Sequence, residues 1–213
     1  MVTAFTALCL VAVAALLVAE RRAWGVARAL AKTIASLAFV GVAVSLGATG
    51  SAYGRWVLLA LALSVAGDVL LLSHRSAAFL AGLAAFLLEH LAFAAAFVVE
   101  GVDLGTAGLA AGIALVVGAS VLRWLWPHLR GPMRPAVGVY VLAILAMCSL
   151  AAGHAGASGH ALVALAAVTF AASDLAVARD RFVQASFANR AWGLPAYYAA
   201  QLLLAASAGG PRG

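Results

Sequence analysis

Charged residues are scarce in this sequence of 213 residues: Asp, Glu, Lys and Arg make up only 9% of it, whereas 66% of the residues are hydrophobic. Soluble domains usually carry about 25% charged residues. A soluble fold of this size could not bury so much apolar surface, so the composition excludes an ordinary soluble domain. It predicts a polytopic membrane protein, with 1–213 as a single integral membrane domain in lipid.

Proline and cysteine are also rare, and the basic residues lack the arrangement of a nucleic-acid site. The two cysteines, Cys9 and Cys148, lie in separate apolar runs without metal-ligand spacing. The net charge of +6 comes from residues scattered between apolar runs, with no basic stripe or interleaved aromatics. This pattern argues against a nucleic-acid partner and is typical of topology signals and of contacts with anionic membrane lipid.

The apolar runs lack the alternation that a membrane β-barrel requires, which argues against strands. About eight runs are roughly 17–24 residues long, enough to cross a bilayer as helices. The predicted fold class is therefore all-α, a polytopic membrane helix bundle. The predicted helices cover 2–19, 29–47, 55–73, 77–99, 104–122, 136–153, 160–178 and 189–208.

Arginine residues concentrate in alternate connections between these runs, namely the first, third, fifth and seventh. The positive-inside rule places such connections in the cytoplasm. We therefore expect both termini outside, and an integral protein of a bacterial inner membrane.

Two carboxylic acids lie inside apolar runs, Asp68 within LSVAGDVLLL and Asp174 within FAASDLAVA. A charged side chain at membrane depth costs about 2.5–3.5 kcal/mol. Helices three and seven run in the same direction, and each acid is expected roughly 7–9 Å inside the cytoplasmic boundary. The small neighbours Gly67 and Ser173 allow another helix or a ligand to approach closely. We expect one shared site; the alternative is that each acid holds neighbouring helices together by hydrogen bonds.

The sequences around the two acids resemble each other. SVAGDVLLLSHR and TFAASDLAVARDR both have small residues before the acid, aliphatic residues after it and a basic end. This similarity indicates a possible duplication of four helices plus four, with Asp68 and Asp174 as counterparts. Parallel repeats of this kind place shared sites at the interface between the halves.

Further polar residues lie on neighbouring helices. Glu89 and His90 interrupt the fourth apolar run, and they point about 100° apart around the helix. A lone buried histidine such as His90 is often a hydrogen-bonded structural group. On the last helix, Tyr198 and Gln201 are spaced i,i+3 and share a face, so they can present a hydroxyl and an amide together.

Two more candidates lie on the second and sixth helices. Lys32 is near the start of helix two, where it can either reach the cytoplasmic surface or bind a phosphate. Tyr140 and Met147 are seven residues apart and share a face of helix six, Met147 as a packing residue.

Familiar hydrolase motifs are missing. The five histidines are dispersed, no H-E-x-x-H pair occurs, and there is no G-x-S-x-G sequence. We therefore expect neither a metal nor another cofactor. The remaining pattern is a pair of carboxyl groups in a dry cavity, which favours general acid/base chemistry because burial and mutual repulsion can keep one acid neutral and the other ionised.

Taken in order, several short motifs resemble the YhhN-like lysoplasmalogenases. The motifs are GDVLLL at 67–72, FLLEHLAF at 86–93, YVLAILAM at 140–147, FAASDLAVARDRF at 170–182 and YYAAQLLL at 197–204, together with Lys32. The resemblance covers helices two to eight. Two positions depart from the family pattern: Thr33 replaces a proline, and Phe93 stands where an aromatic hydroxyl is common.

The resemblance implies a membrane enzyme that cleaves the vinyl ether bond of a lysoplasmalogen, a lysophospholipid. The products would be a fatty aldehyde and a glycerophospho-ethanolamine or glycerophospho-choline. We expect Asp68 and Asp174 to form the catalytic acid/base pair, in an order that the sequence leaves open. His90, Tyr198 and Gln201 would orient water or substrate beside Tyr140. The phosphate would bind Lys32 or a cytoplasmic arginine.

Intramembrane acids also serve other functions. The main alternative is a proton-coupled transporter that uses the acids as a proton relay. A third interpretation is a lipid-binding or assembly protein without catalysis.

Overall fold

The computed structural model describes residues 1–73 and 75–209, and in that part of the chain the regular structure is entirely helical. The predicted all-α bundle of eight helices is confirmed. The helices are α1 (Val2–Arg22), α2 (Gly25–Ser45), α3 (Ala52–Leu70), α4 (Ser76–Glu100), α5 (Leu104–Leu125), α6 (Met133–Ser158), α7 (Ala161–Ala178) and α8 (Phe187–Ser207).

Seven helices, α1 to α7, are long and apolar enough to cross a membrane, as expected of an integral membrane protein. The eighth has a similar length of 21 residues. Its polar residues, including Asn189, Arg190 and Gln201, interrupt the apolar sequence. Asn189 and Gln201 are buried within the bundle, so α8 is polar because it faces the interior.

Local sequence explains several helix starts. The Ser51 hydroxyl accepts a hydrogen bond from the Gly54 amide at the start of α3, and the Ser186 hydroxyl accepts one from the Asn189 amide at the start of α8. The exposed Asp103 carboxylate accepts from the Thr106 amide at 2.7 Å and caps α5. Such side chains satisfy amide groups that have no partner within the helix.

Six helices form a closed ring in the order α2, α3, α4, α6, α7, α8, in which each helix contacts the next and α8 returns to α2. Helix α1 packs outside α2 and α8, and α5 packs mainly against α6. The contacts within α1–α4 recur in α5–α8: the pairs α1·α2, α2·α3 and α3·α4 correspond to α5·α6, α6·α7 and α7·α8. The contact between α2 and α8 corresponds to that between α6 and α4. This pattern supports the predicted four-plus-four duplication.

Two glycines occupy corresponding positions in the halves. GLAAF begins at Gly82 on α4, and GLPAY begins at Gly193 on α8. A Cβ atom at Gly82 would lie 3.5 Å from the Gly67 carbonyl oxygen, and one at Gly193 would lie 3.8 Å from the Ser173 carbonyl oxygen. Gly67 and Ser173 immediately precede the two acids. In each half, a glycine therefore lets the neighbouring helix approach the backbone beside an acid.

The ends of α3 and α7 place the two acids at different distances from a helix end. Helix α3 ends at Leu70, only two residues after Asp68. Helix α7 ends at Ala178, four residues after Asp174, and continues into a π-helical turn over Arg179–Val183. Asp68 therefore lies closer to its helix end than the sequence predicts.

Candidate active site

The first acid, Asp68, lies among three donors on two neighbouring helices. Lys32 on α2 places its Nζ atom 3.1 Å from Asp68 Oδ1. The Ser36 hydroxyl, one turn further along α2, donates to Asp68 Oδ2 at 2.6 Å. The Tyr197 hydroxyl on α8 donates to the same oxygen at 2.8 Å. Asp68 is only 2% exposed, so an ammonium group and two hydroxyl groups replace water around this carboxyl group.

The second acid, Asp174, has different partners. The Tyr140 hydroxyl on α6 donates to Asp174 Oδ2 at 3.1 Å. The Nε2 atom of His90 on α4 lies 3.3 Å from that oxygen, but the two atoms are not aligned as a hydrogen bond. The other ring nitrogen of His90, Nδ1, lies 2.5 Å from the Phe86 carbonyl oxygen. No lysine or arginine forms an ion pair with Asp174 in the described part of the chain.

A third acid, Glu89, is fully buried on α4. Its Oε1 atom accepts hydrogen bonds from the Ser64 hydroxyl on α3 and, at 2.6 Å, from Nε2 of Gln201 on α8. Glu89 Oε2 and Gln201 Oε1 have no hydrogen-bond partner among the described residues. Both atoms accept hydrogen bonds, so a water molecule, which can donate twice, would satisfy them.

A row of aromatic rings lies between the surroundings of the two aspartates. No hydrogen bond joins Asp68 to Asp174 in residues 1–73 and 75–209. The Tyr197 ring centroid lies 5.6 Å from that of Phe170, which lies 4.6 Å from the imidazole of His90. A continuous row of rings therefore runs from the hydroxyl group bound to Asp68 to the imidazole beside Asp174.

The structure places the seven predicted residues in this one region of the interior. Lys32 is beside Asp68, and His90 and Tyr140 are beside Asp174. The Tyr198 hydroxyl lies 3.2 Å from Ser36 Oγ and 3.3 Å from the Lys32 carbonyl oxygen. The Gln201 side chain donates a hydrogen bond to Glu89, so it does not present its amide to the same partner as the Tyr198 hydroxyl.

The predicted set of site residues left out four members of this network: Ser36, Ser64, Glu89 and Tyr197. Helical geometry offered a signal for Tyr197, because its i,i+4 spacing puts it about 40° from Gln201, whereas Tyr198 is about 60° away. Glu89 also carried a signal, since an acid within an apolar run is a functional candidate in its own right. Ser36 and Ser64 carried none, because serine in a helix commonly bonds to its own backbone.

Basic residues surround the helix ends nearest to Asp68. Arg28 lies one turn before Lys32 on α2, and its Nη2 atom donates to the Leu72 carbonyl oxygen at 3.2 Å. Arg190 pairs with Glu20 at 2.8 Å. Within the described residues, no cluster of three or more His, Cys, Asp or Glu side chains is suited to a metal ion.

Comparison with known proteins adds a family to this geometry. A protein named lysoplasmalogenase from Mycobacterium bovis is 36% identical over 160 residues, which cover 71% of this chain and 59% of the relative. Lysoplasmalogenase TMEM86A from Bos taurus is 31% identical over 164 residues, which cover 71% of this chain and 64% of the relative. The chain thus spans about three fifths of the length of these curated relatives.

No solved structure matches the chain. Residues 1–208 match the YhhN family. This matched range contains all eight helices and every residue of the network around Asp68, Glu89 and Asp174. The chain belongs to the YhhN family.

Proposed function

We propose that this protein hydrolyses the vinyl ether bond of a lysoplasmalogen, releasing a fatty aldehyde and a glycerophospho-ethanolamine or glycerophospho-choline. The observation that carries the proposal is the pair of interior aspartates with different partners, Asp68 beside Lys32 and Asp174 beside His90. The curated relatives from Mycobacterium bovis and Bos taurus, both named lysoplasmalogenase, support the same substrate class.

The chemistry of a vinyl ether explains why two carboxyl groups would be needed. A vinyl ether has no electrophilic carbonyl carbon, so direct attack by water is slow. Protonation of the carbon β to the oxygen first produces an oxocarbenium-like cation, which water then captures. A neutral acid must supply the proton, and a carboxylate can stabilise the cation and accept a proton from water.

Asp68 and Asp174 are the proposed acid/base pair. The row of rings from Tyr197 through Phe170 to His90 lies between their surroundings and would form an apolar wall for the reacting bond. Glu89 Oε2 and Gln201 Oε1 are buried acceptor atoms without a partner among the described residues, so each can accept a hydrogen bond from a water molecule. Tyr198 supports the Asp68 side through Ser36.

The substrate's phosphate would bind at the arginine-rich end of the bundle. Lys32 is 13% exposed, and its ammonium group is already paired with Asp68. Arg28 lies one turn nearer the helix start on the same face, so Arg28 is the better phosphate ligand and Lys32 contributes its positive charge. We propose that this end faces the cytoplasm in a bacterial inner membrane and that the lipid tail lies among the helices.

The direct test is aldehyde release by purified protein from a lysoplasmalogen, with the saturated alkyl-ether analogue as the substrate control. Asp68→Asn and Asp174→Asn are each expected to lower turnover about 100-fold or more, since a positioned acid or base contributes about 10²–10⁴ in rate. The matched control is Asp103→Asn at the exposed cap of α5, which is expected to keep normal turnover because Asn also caps helices well.

A proton-coupled transporter makes the opposite prediction. It would move the lysolipid across sealed vesicles without bond cleavage, and wild-type protein would release no aldehyde. Normal turnover in either folded site variant would show that Asp68 and Asp174 are not the acid/base pair.

A further inference from the structure

The imidazole of His90 has a defined tautomer. Its Nδ1 atom lies 2.5 Å from the Phe86 carbonyl oxygen, and a carbonyl oxygen only accepts hydrogen bonds. Nδ1 therefore carries a hydrogen. In the neutral ring, Nε2 then carries a lone pair and can only accept.

An acceptor atom lies beside Nε2. Asp174 Oδ2 lies 3.3 Å from Nε2 and already accepts the Tyr140 hydroxyl. The two atoms are close without being aligned as a hydrogen bond, so a bare Nε2 leaves two acceptor atoms side by side in a buried site, and Nε2 has no hydrogen-bond partner among the described residues. One additional proton on either atom turns this repulsion into an attraction.

We propose that His90 and Asp174 together hold one proton and that Asp174 delivers it to the vinyl ether, while Asp68 stays a carboxylate and acts as the base. This inference rests on the proposed function and assigns the two roles within it. Asp174 is then the catalytic acid, and His90 is a positioning residue that holds the proton.

The surroundings of Asp68 favour the other role. Lys32, Ser36 and Tyr197 all direct donors at its carboxyl group, and the positive charge of Lys32 balances a negative one. Asp174 receives one hydroxyl donor and faces a nitrogen that needs a proton. The donors and the positive charge around Asp68 therefore match a carboxylate, whereas the geometry of His90 and Asp174 has room for one proton between them.

Exposure agrees with this assignment. The Asp174 side chain is 14% exposed, whereas that of Asp68 is 2% exposed and that of His90 is fully buried. Of the two aspartates, Asp174 is thus the more accessible to a substrate, whereas the imidazole is enclosed. His90 would act through Asp174.

The reaction balances with these groups. The π electrons of the vinyl bond take the proton from Asp174 and form a C–H bond at the β carbon, leaving an oxocarbenium ion at the carbon attached to oxygen. Water adds to that carbon and gives a proton to Asp68. The hemiacetal then breaks its bond to the glycerol oxygen, which takes the proton held by Asp68, and its hydroxyl group loses its own proton as it becomes the aldehyde carbonyl. Transfer of the remaining proton back to Asp174 restores the pair.

Deuterium exchange separates the two roles. In D₂O, wild-type protein should release aldehyde with one deuterium on the carbon next to the carbonyl, observed after rapid reduction to the alcohol. Asp68→Asn should lower aldehyde release about 100-fold yet still place deuterium on the vinyl carbon of recovered substrate, because capture of the cation by water is impaired, and rotation about its new C–C single bond lets Asp174 take back the original hydrogen instead of the deuterium. Asp174→Asn and His90→Gln should lose both exchange and aldehyde release.

Exchange that persists in folded Asp174→Asn, or exchange that disappears in Asp68→Asn, would overturn the assignment. Thermal unfolding of each variant in detergent identifies a loss caused by misfolding. If wild-type protein releases no aldehyde, the proposed function is wrong. The proton shared by His90 and Asp174 can still be tested by a measurement that needs no substrate.

The substrate-free measurement is ¹⁵N NMR of labelled histidine, with the His90 signals assigned by their loss in His90→Gln. In wild-type protein, both ring nitrogens of His90 should show bound or shared hydrogen. In Asp174→Asn, Nε2 should become a bare acceptor or a simple acceptor from the new amide. A bare Nε2 in wild-type protein would disprove the shared proton whatever the substrate proves to be.

Discussion

The two halves of the bundle hold corresponding acids in opposite electrostatic surroundings. The polar partners of Asp68 on α3 lie on α2 and α8, and those of Asp174 on α7 lie on the corresponding helices α6 and α4. In the first half the partner is the ammonium group of Lys32, and in the second it is the imidazole of His90. The fold therefore supplies two equivalent positions for an acid, and the residues around each position give that acid different partners.

Among the changes that test this difference between the halves, removal of Lys32 should lower the stability most. Lys32→Met leaves the buried carboxylate of Asp68 without a positive charge, and we expect a loss of about 3 kcal/mol, since an unpaired buried charge is costly. The measurement is reversible unfolding in detergent. The double variant Lys32→Met/Asp68→Asn should recover most of the loss, because the uncompensated charge is gone.

Tyr140→Phe is the matched change in the second half. It removes a hydroxyl donor from Asp174 without removing a charge, so the expected cost is about 1 kcal/mol. Equal losses for Lys32→Met and Tyr140→Phe would mean that the two acids do not differ in charge.

Replacement of the corresponding glycines, Gly82 and Gly193, tests the same symmetry with a smaller expected effect on stability. A Cβ atom at Gly193 would lie 2.5 Å from the Cβ of Ala176, and neither atom can move without its backbone. We expect Gly193→Ala to cost about 1–3 kcal/mol, as overpacking does. A Cβ atom at Gly82 would lie 2.9 Å from Cδ2 of Leu71, a side-chain end that can rotate away.

Gly82→Ala should therefore be close to neutral, because the gain in helix propensity offsets a small rearrangement of Leu71. Unfolding of the two variants under one condition gives the comparison directly. Equal costs would show that the α3·α4 and α7·α8 contacts are equally rigid, in disagreement with the distances from these two glycines.

The sequence was sufficient for the helices but not for the partners of each acid. Runs of apolar residues defined eight helices, and the positions of Asp68 and Asp174 in similar sequences indicated the duplication. The pairing of Tyr197 with Asp68 and of Gln201 with Glu89 depends on how α8 is rotated against α3 and α4. That rotation is set by packing between helices far apart in the chain, such as α3 and α8. Spacing within α8 allows either tyrosine beside Gln201, whereas packing between helices places the Tyr197 hydroxyl on Asp68.

Asp103, an exposed acid, is the reference for the two interior aspartates, and its replacement should have the smallest effect on stability. Hydrogen bonds from Thr106, first from its side chain and then from its backbone amide, lower the pKa of Asp103 from its ordinary value of 3.8. A lowered pKa in the folded protein means that the cap stabilises α5 fully above the unfolded pKa. That stabilisation is lost as the pH falls through the folded pKa. Thermal unfolding of wild-type protein and Asp103→Asn should therefore differ in its pH dependence only at acidic pH, where protonation removes the charge that Asn never had. A difference that persists unchanged from neutral to acidic pH would mean that the charge of Asp103 contributes nothing to the cap, since protonation would leave the comparison as it was.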